Sequence, residues 1–155
     1  MRFTTLTLAA VMAAGIAVAG EVAPTDVVFN GSAVDASLSG VAGNAAAGQE
    51  VYASKKKGNC IACHQISSVD AAFPGNVGPS LDGVADRWSE AELRGILVNS
   101  KMTFEGTVMP AYYKVDGFIR PGNRYTGKAA DDTFGPLLAA QEIEDLVAFL
   151  STLKE

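Results

Sequence analysis

Apolar and polar positions follow a helical period most clearly at the end of the chain. In residues 138–153, LAAQEIEDLVAFLSTL, Ile143, Leu146, Val147, Leu150 and Leu153 recur three or four apart, with Phe149 beside them. That spacing lines one face and predicts an amphipathic helix. A second helix is predicted to open at Ser89-Glu90-Ala91-Glu92, where a serine stands three residues ahead of a glutamate in a capping-box pattern. It should run about 11 residues, with Leu93, Ile96 and Leu97 on its apolar side. A third helix is predicted over residues 44–57, NAAAGQEVYASKKK. Asn44 can cap it, and Lys55 to Lys57 sit where cations suit the negative end of the helix dipole. Gly48 and Tyr52 share a face, and a glycine there predicts a close packing contact.

The segments between these helices carry turn signals. Residues 65–86 contain Phe73-Pro74-Gly75-Asn76 and Gly78-Pro79. Residues 101–136 contain Gly106, Pro110, Gly117, Pro121, Gly122, Gly127, Gly135 and Pro136. Few regular elements fit there. A loop of that length in a compact domain needs something to wrap around. No internal repeat or hairpin is visible, so the predicted fold is all-α with long irregular loops. Residues 20–43 are rich in Gly, Ala, Ser and Val and poor in charge. They read as an N-terminal arm, either laid against a partner or left as a disordered leader.

The first 19 residues differ from all of this. Arg2 is followed by an apolar stretch from Leu6 to Val18 and by Ala17-Val18-Ala19, an A-x-A cleavage pattern. This predicts a secretory signal peptide cut after Ala19, too short for a membrane span. The rest is one domain's worth of chain, the arm at 20–43 and a compact unit at 44–155. Cleavage removes one basic residue, Arg2, from the 12 basic and 17 acidic residues of the chain. The mature net charge is then more negative than −5. An acidic chain argues against nucleic acid as a partner. Export places the chain in an oxidising space, in which a disulfide is chemically reasonable.

Both cysteines and the sole histidine fall in Gly58-Asn59-Cys60-Ile61-Ala62-Cys63-His64. C-x-x-C-H is the attachment signature of c-type haem. Two thiols add to the two haem vinyl groups as thioethers, and the adjacent histidine is held as an axial iron ligand. Three other readings compete. A disulfide closing so short a loop would constrain little of the unfolded chain. A thioredoxin-like site needs a βαβ pattern that is missing here. Structural zinc needs four ligands, and this cluster offers three.

With one histidine, the second axial ligand comes from elsewhere. The candidates are Met109 in Thr107-Val108-Met109-Pro110, Met102, and Lys101, or the position is vacant. A thioether favours ferrous iron and suits electron transfer, and Pro110 stiffens the loop, so Met109 is the preferred candidate. A ligating histidine donates its other N–H to an oxygen, and the Pro79 carbonyl is the candidate acceptor. Arg87 and Trp88 are candidates to contact haem propionates, Trp88 also reading as core. Tyr112 and Tyr113 either line the methionine side or simply pack. Lys55 to Lys57 could steer an acidic partner, but read better as a solvated helix end.

The order helix, CxxCH, GP-x-L, middle helix, MP, amphipathic helix resembles a class I cytochrome c domain over roughly residues 44–153. In that family the terminal helices cross near a small residue and an aromatic, matching Gly48 and Tyr52 against the Leu146 to Leu150 face. Three stretches, residues 58–64, 78–87 and 107–113, are similar to the SoxX family, the monohaem subunits of bacterial sulfur-oxidising SoxAX complexes. The resemblance implies one covalent haem c on Cys60 and Cys63, with His64 and Met109 on its iron. It implies a periplasmic heterodimer with a SoxA-like cytochrome whose haem is the catalytic one. That complex couples thiosulfate oxidatively to a cysteine of a SoxYZ-like carrier, an L-cysteine S-thiosulfotransferase reaction. The SoxX-like chain takes the electrons and passes them to a small cytochrome c, with no catalytic site of its own. A freely diffusing cytochrome c serving a terminal oxidase or another dehydrogenase would share every haem residue. A haem sensor or enzyme in which Met109 leaves the iron is the third reading.

Overall fold

Two helices from opposite ends of the domain, α1 (Ala45–Ala53) and α4 (Ala140–Leu150), cross and organise the core. The computed structural model describes residues 20–122 and 126–155. The expected signal peptide, residues 1–19, lies outside the described residues. At the crossing, a Cβ on Gly48 would stand 2.0 Å from the Asp145 carbonyl oxygen and 2.7 Å from the Phe149 Cβ. Only a residue without a side chain lets the two backbones approach this closely. One turn along, the Tyr52 and Phe149 rings pack with centroids 6.0 Å apart and planes tilted by 52°. The close contact expected of Gly48 is therefore present.

Asn44 caps α1 as its sequence predicts, its side-chain oxygen accepting from the Ala46 and Ala47 amides. The helix stops four residues short of Lys57. Ser54 donates its N–H to the Glu50 carbonyl, and the chain then turns. Lys55 to Lys57 thus lie in a turn beyond the helix, and Lys57 pairs at 2.8 Å with Glu142 of α4. The short helix α2 (Val84–Arg87) was not foreseen in the turn-rich segment. The Ala85 N–H donates to the Leu153 carbonyl, so the chain after α4 supports α2.

The third helix, α3 (Glu90–Asn99), has the expected capping box. The Ser89 N–H donates to Glu92 Oε2 at 2.8 Å, and the Glu92 N–H donates to Ser89 Oγ at 3.4 Å. Leu93, Ile96 and Leu97 are buried, as are Ile143, Leu146, Val147 and Leu150 of α4. After α3 comes one 3-10 turn (Ser100–Met102), and the described residues from there to α4 are irregular apart from an isolated bridge between Gly122 and Ala129.

The N-terminal arm is ordered against this chain's own helices. Val34 and Leu38 are in the core. A buried ion pair holds them: Arg94 of α3 donates from Nε to Glu144 Oε1 of α4 at 2.9 Å and from Nη1 to the Val34 carbonyl at 2.9 Å. Glu144 Oε1 also accepts the Leu38 N–H at 2.8 Å. The Val34 N–H donates to the Ala91 carbonyl, and Asp145 accepts the Asn44 N–H. The expectation of a disordered leader does not describe this packing.

Candidate functional site

The loops enclose a cavity of about 830 Å³ between α3, α4 and the CxxCH segment. That is within the size range of cofactor pockets, roughly 300–1,000 Å³. Leu93, Ile96 and Leu97 of α3, with Leu146 and Leu150 of α4, supply apolar wall. The same helical periodicity that builds the core therefore builds the site.

Cys60 opens a 3-10 turn, Cys60–Ala62, entered through Asn59 at φ 48°. The Cys63 and His64 amides both donate to the Cys60 carbonyl, at 3.0 and 2.9 Å. This tight winding lets Cys60, Cys63 and His64 all line the cavity. The two cysteines are not joined to each other. Among the described residues no group of three or more His, Cys, Asp or Glu side chains is arranged to hold a metal ion. Burial pushes the Cys60 thiol up to about 11.

His64 Nδ1 lies 2.8 Å from the Pro79 carbonyl oxygen. A carbonyl only accepts, so Nδ1 carries a proton, and in the neutral ring Nε2 is then the nitrogen with the lone pair. This is the tautomer a metal-binding histidine needs. Gly78 lies directly against the ring: a Cβ there would sit 2.3 Å from His64 Cε1. The Gly78 N–H donates to the Cys63 carbonyl at 2.8 Å, and the Tyr52 hydroxyl donates to the His64 carbonyl at 2.7 Å. Burial raises the Tyr52 pKa, so its hydroxyl stays a donor.

Asp82 ties the Pro79 loop to the chain after His64. It accepts from the Ser67 N–H at 2.9 Å, from Ser67 Oγ at 2.7 Å and from Ser80 Oγ at 2.8 Å. The Ser67 bonds are the main reason its carboxyl is held below the usual 3.8.

Of the candidate partners for the opposite ligand, Met109 lines the cavity. Met102 is half exposed and does not line it, and the Lys101 ammonium donates to the Met109 carbonyl. Arg87 and Trp88 both line the cavity. Arg87 donates to the Asp82 and Ser80 carbonyls, and Trp88 meets Phe104 edge-on at 5.8 Å. The two tyrosines part company. Tyr112 lines the cavity and donates to the Gly58 carbonyl at 3.0 Å, whereas Tyr113 donates to the Val22 carbonyl of the arm at 2.7 Å.

This donor set fits haem: two thiols, a neutral imidazole with a free nitrogen, a thioether and an apolar chamber of sufficient volume. Sequence reasoning missed Gly78 as a contact of the imidazole, the Ser67–Ser80–Asp82 clip, and Ser100 beside Met109. The pattern Ser80-Leu81-Asp82 is a recognisable turn signal. Ser100 has none, because its partner carbonyls lie nine and ten residues away.

The cytochrome c family model matches residues 45–154. The chain belongs to the cytochrome c family. It is similar to a chain in the crystal structure of SoxXA from P. pantotrophus, with 56% sequence identity and a TM-score of 0.83, covering 88% of this chain and 100% of that one. Comparison with curated protein sequences finds no match. This is a SoxX-like electron-transfer cytochrome with an all-α class I cytochrome c fold and a covalently bound haem c. Among the described residues no helix is long and apolar enough to cross a membrane.

Proposed function

We propose that this chain is the electron-transfer subunit of a periplasmic SoxAX-type complex. It accepts electrons released when thiosulfate is coupled to a cysteine of a SoxYZ-like carrier and passes them to a small cytochrome c. The observation that carries the reading is the placement of a correctly protonated His64 and of Met109 on one apolar cavity. Likeness to a chain of a SoxXA complex supports a SoxA-like partner.

Bound haem supplies a one-electron iron couple. The chain's own residues set its conditions. Cys60 and Cys63 would hold the macrocycle as thioethers through its two vinyl groups. His64 offers Nε2 to the iron while the Pro79 carbonyl fixes its ring and raises its basicity. Met109 offers a thioether, which favours the ferrous state. The leucines and isoleucine of α3 and α4 exclude water. No bond is made or broken on a substrate at this chain.

A freely diffusing cytochrome is the second reading, and one observation favours it. The arm, which could have belonged to a partner, covers this chain's own α3 and α4. Sedimentation of the haem-loaded chain with its SoxA-like partner at assay concentration separates the two: a heterodimer is expected, and a persistent monomer favours free diffusion. Replacing Met109 by leucine should abolish the methionine–iron charge-transfer band and open the ferrous iron to carbon monoxide.

A further inference from the structure

A methionine side chain has three rotatable bonds, so the placement of its sulfur depends on how firmly its backbone is held. Met109 lies in an irregular loop with no ladder of backbone hydrogen bonds around it. Its peptide is nonetheless held on both sides. The Met109 N–H donates to Thr107 Oγ1 at 3.2 Å. Its carbonyl accepts from Ser100 Oγ at 2.8 Å, and the same hydroxyl lies 3.3 Å from the Pro110 carbonyl. Ser100 has no solvent-exposed surface. It sits at the end of α3, whose Leu97 and Val98 carbonyls accept the Tyr112 and Tyr113 amides. The methionine segment is thereby laid along the end of a rigid helix, with Ser100 as the side chain that reaches Met109 itself.

We propose that Ser100 is the positioning residue for the axial methionine: its hydroxyl fixes the Met109 carbonyl and so fixes where the sulfur is presented. Lys101 also donates to that carbonyl, but as an exposed flexible cation it is screened and replaceable by water. The buried hydroxyl has no such substitute at its own position, and its removal leaves that carbonyl held only by the exposed Lys101 ammonium. The proposal rests on Met109 being the iron ligand.

The test compares holoprotein with Ser100→Ala, Ser100→Thr and Ser151→Ala. Ser151 Oγ donates to the Val147 carbonyl at 2.7 Å at the end of α4, so Ser151→Ala removes a similar bond away from the methionine loop. Three readouts are used: thermal stability, the far-red methionine–iron band of the ferric protein, and the rate of carbon monoxide binding to the ferrous protein. Ser100→Ala should weaken the band and speed carbon monoxide binding about tenfold, the population change a lost buried hydrogen bond produces. Ser100→Thr keeps a hydroxyl and should restore both, while Ser151→Ala should lower stability alone. The proposal is overturned if Ser100→Ala loses stability as Ser151→Ala does but keeps the band and the slow rate. A wild-type protein without the band would instead overturn Met109 as ligand, and with it the ground on which the proposal stands.

Discussion

Replacing Gly78 by alanine places a methyl group against the His64 imidazole. The three atoms nearest that methyl would be Cε1 at 2.3 Å, Nδ1 at 2.6 Å and Nε2 at 2.7 Å, all of His64. Carbon contacts relax at about 3.5–4.0 Å, so ring or loop must move by roughly 1 Å. The Nδ1 to Pro79 hydrogen bond is 2.8 Å long. A displacement of that size takes it to the limit of a hydrogen bond, and the imidazole loses the basicity this acceptor confers. Ferric iron depends on that basicity more than ferrous iron does, so the reduction potential should rise. A tenfold loss of ferric over ferrous ligation corresponds to about 59 mV for a one-electron couple, the expected scale of the shift. Overpacking should also cost about 1–3 kcal/mol of stability. For a domain of this length each kcal/mol lowers Tm by about 3–5 °C. A redox titration and a melting curve on the haem-loaded Gly78→Ala protein measure both effects. An unchanged potential with an unchanged Tm would refute the inferred packing of Gly78 on the ligand.

Two further perturbations address the arm and the Asp82 clip. Glu144→Gln leaves the Arg94 guanidinium buried without its counter-charge, which costs about 3–5 kcal/mol and should lower Tm by about 10–20 °C in calorimetry; a change under a few degrees would mean that water reaches the pair. Asp82 has a folded pKa below its usual 3.8, so its stabilising contribution is complete above that value and is lost as pH falls through the lower folded value. Wild type should therefore be more stable than Asp82→Asn above pH 3.8 and should converge with it in stronger acid, as followed by circular dichroism; a pH-independent difference would contradict the clip.

The helix caps and the haem-binding segment were legible because their determinants are local. Asn44 caps amides two and three residues on, Ser89 and Glu92 are one turn apart, and CxxCH occupies five consecutive positions. The end of α1 was misread because Lys55 to Lys57 look like a helix C-terminus. The chain has to turn there to bring Cys60 to the cavity, and that requirement is not local. The packing of the arm was hidden for the same reason. Glu144 and Asp145 are buried because Arg94 and the backbone amides of residues 38 and 44 meet them from far along the chain. Met109, which lines the cavity, is marked in the sequence by the proline after it. The hydroxyl that holds its carbonyl is not marked, since nothing within a turn of either residue betrays the contact.

The central claim is that this haem takes electrons from thiosulfate oxidation through a SoxA-like partner. The most direct measurement mixes the oxidised complex with thiosulfate and the carrier protein and follows the absorbance of this chain's haem. The account predicts that the haem becomes reduced, and only when both thiosulfate and carrier are present. A haem that stays oxidised while the carrier cysteine is modified would contradict it.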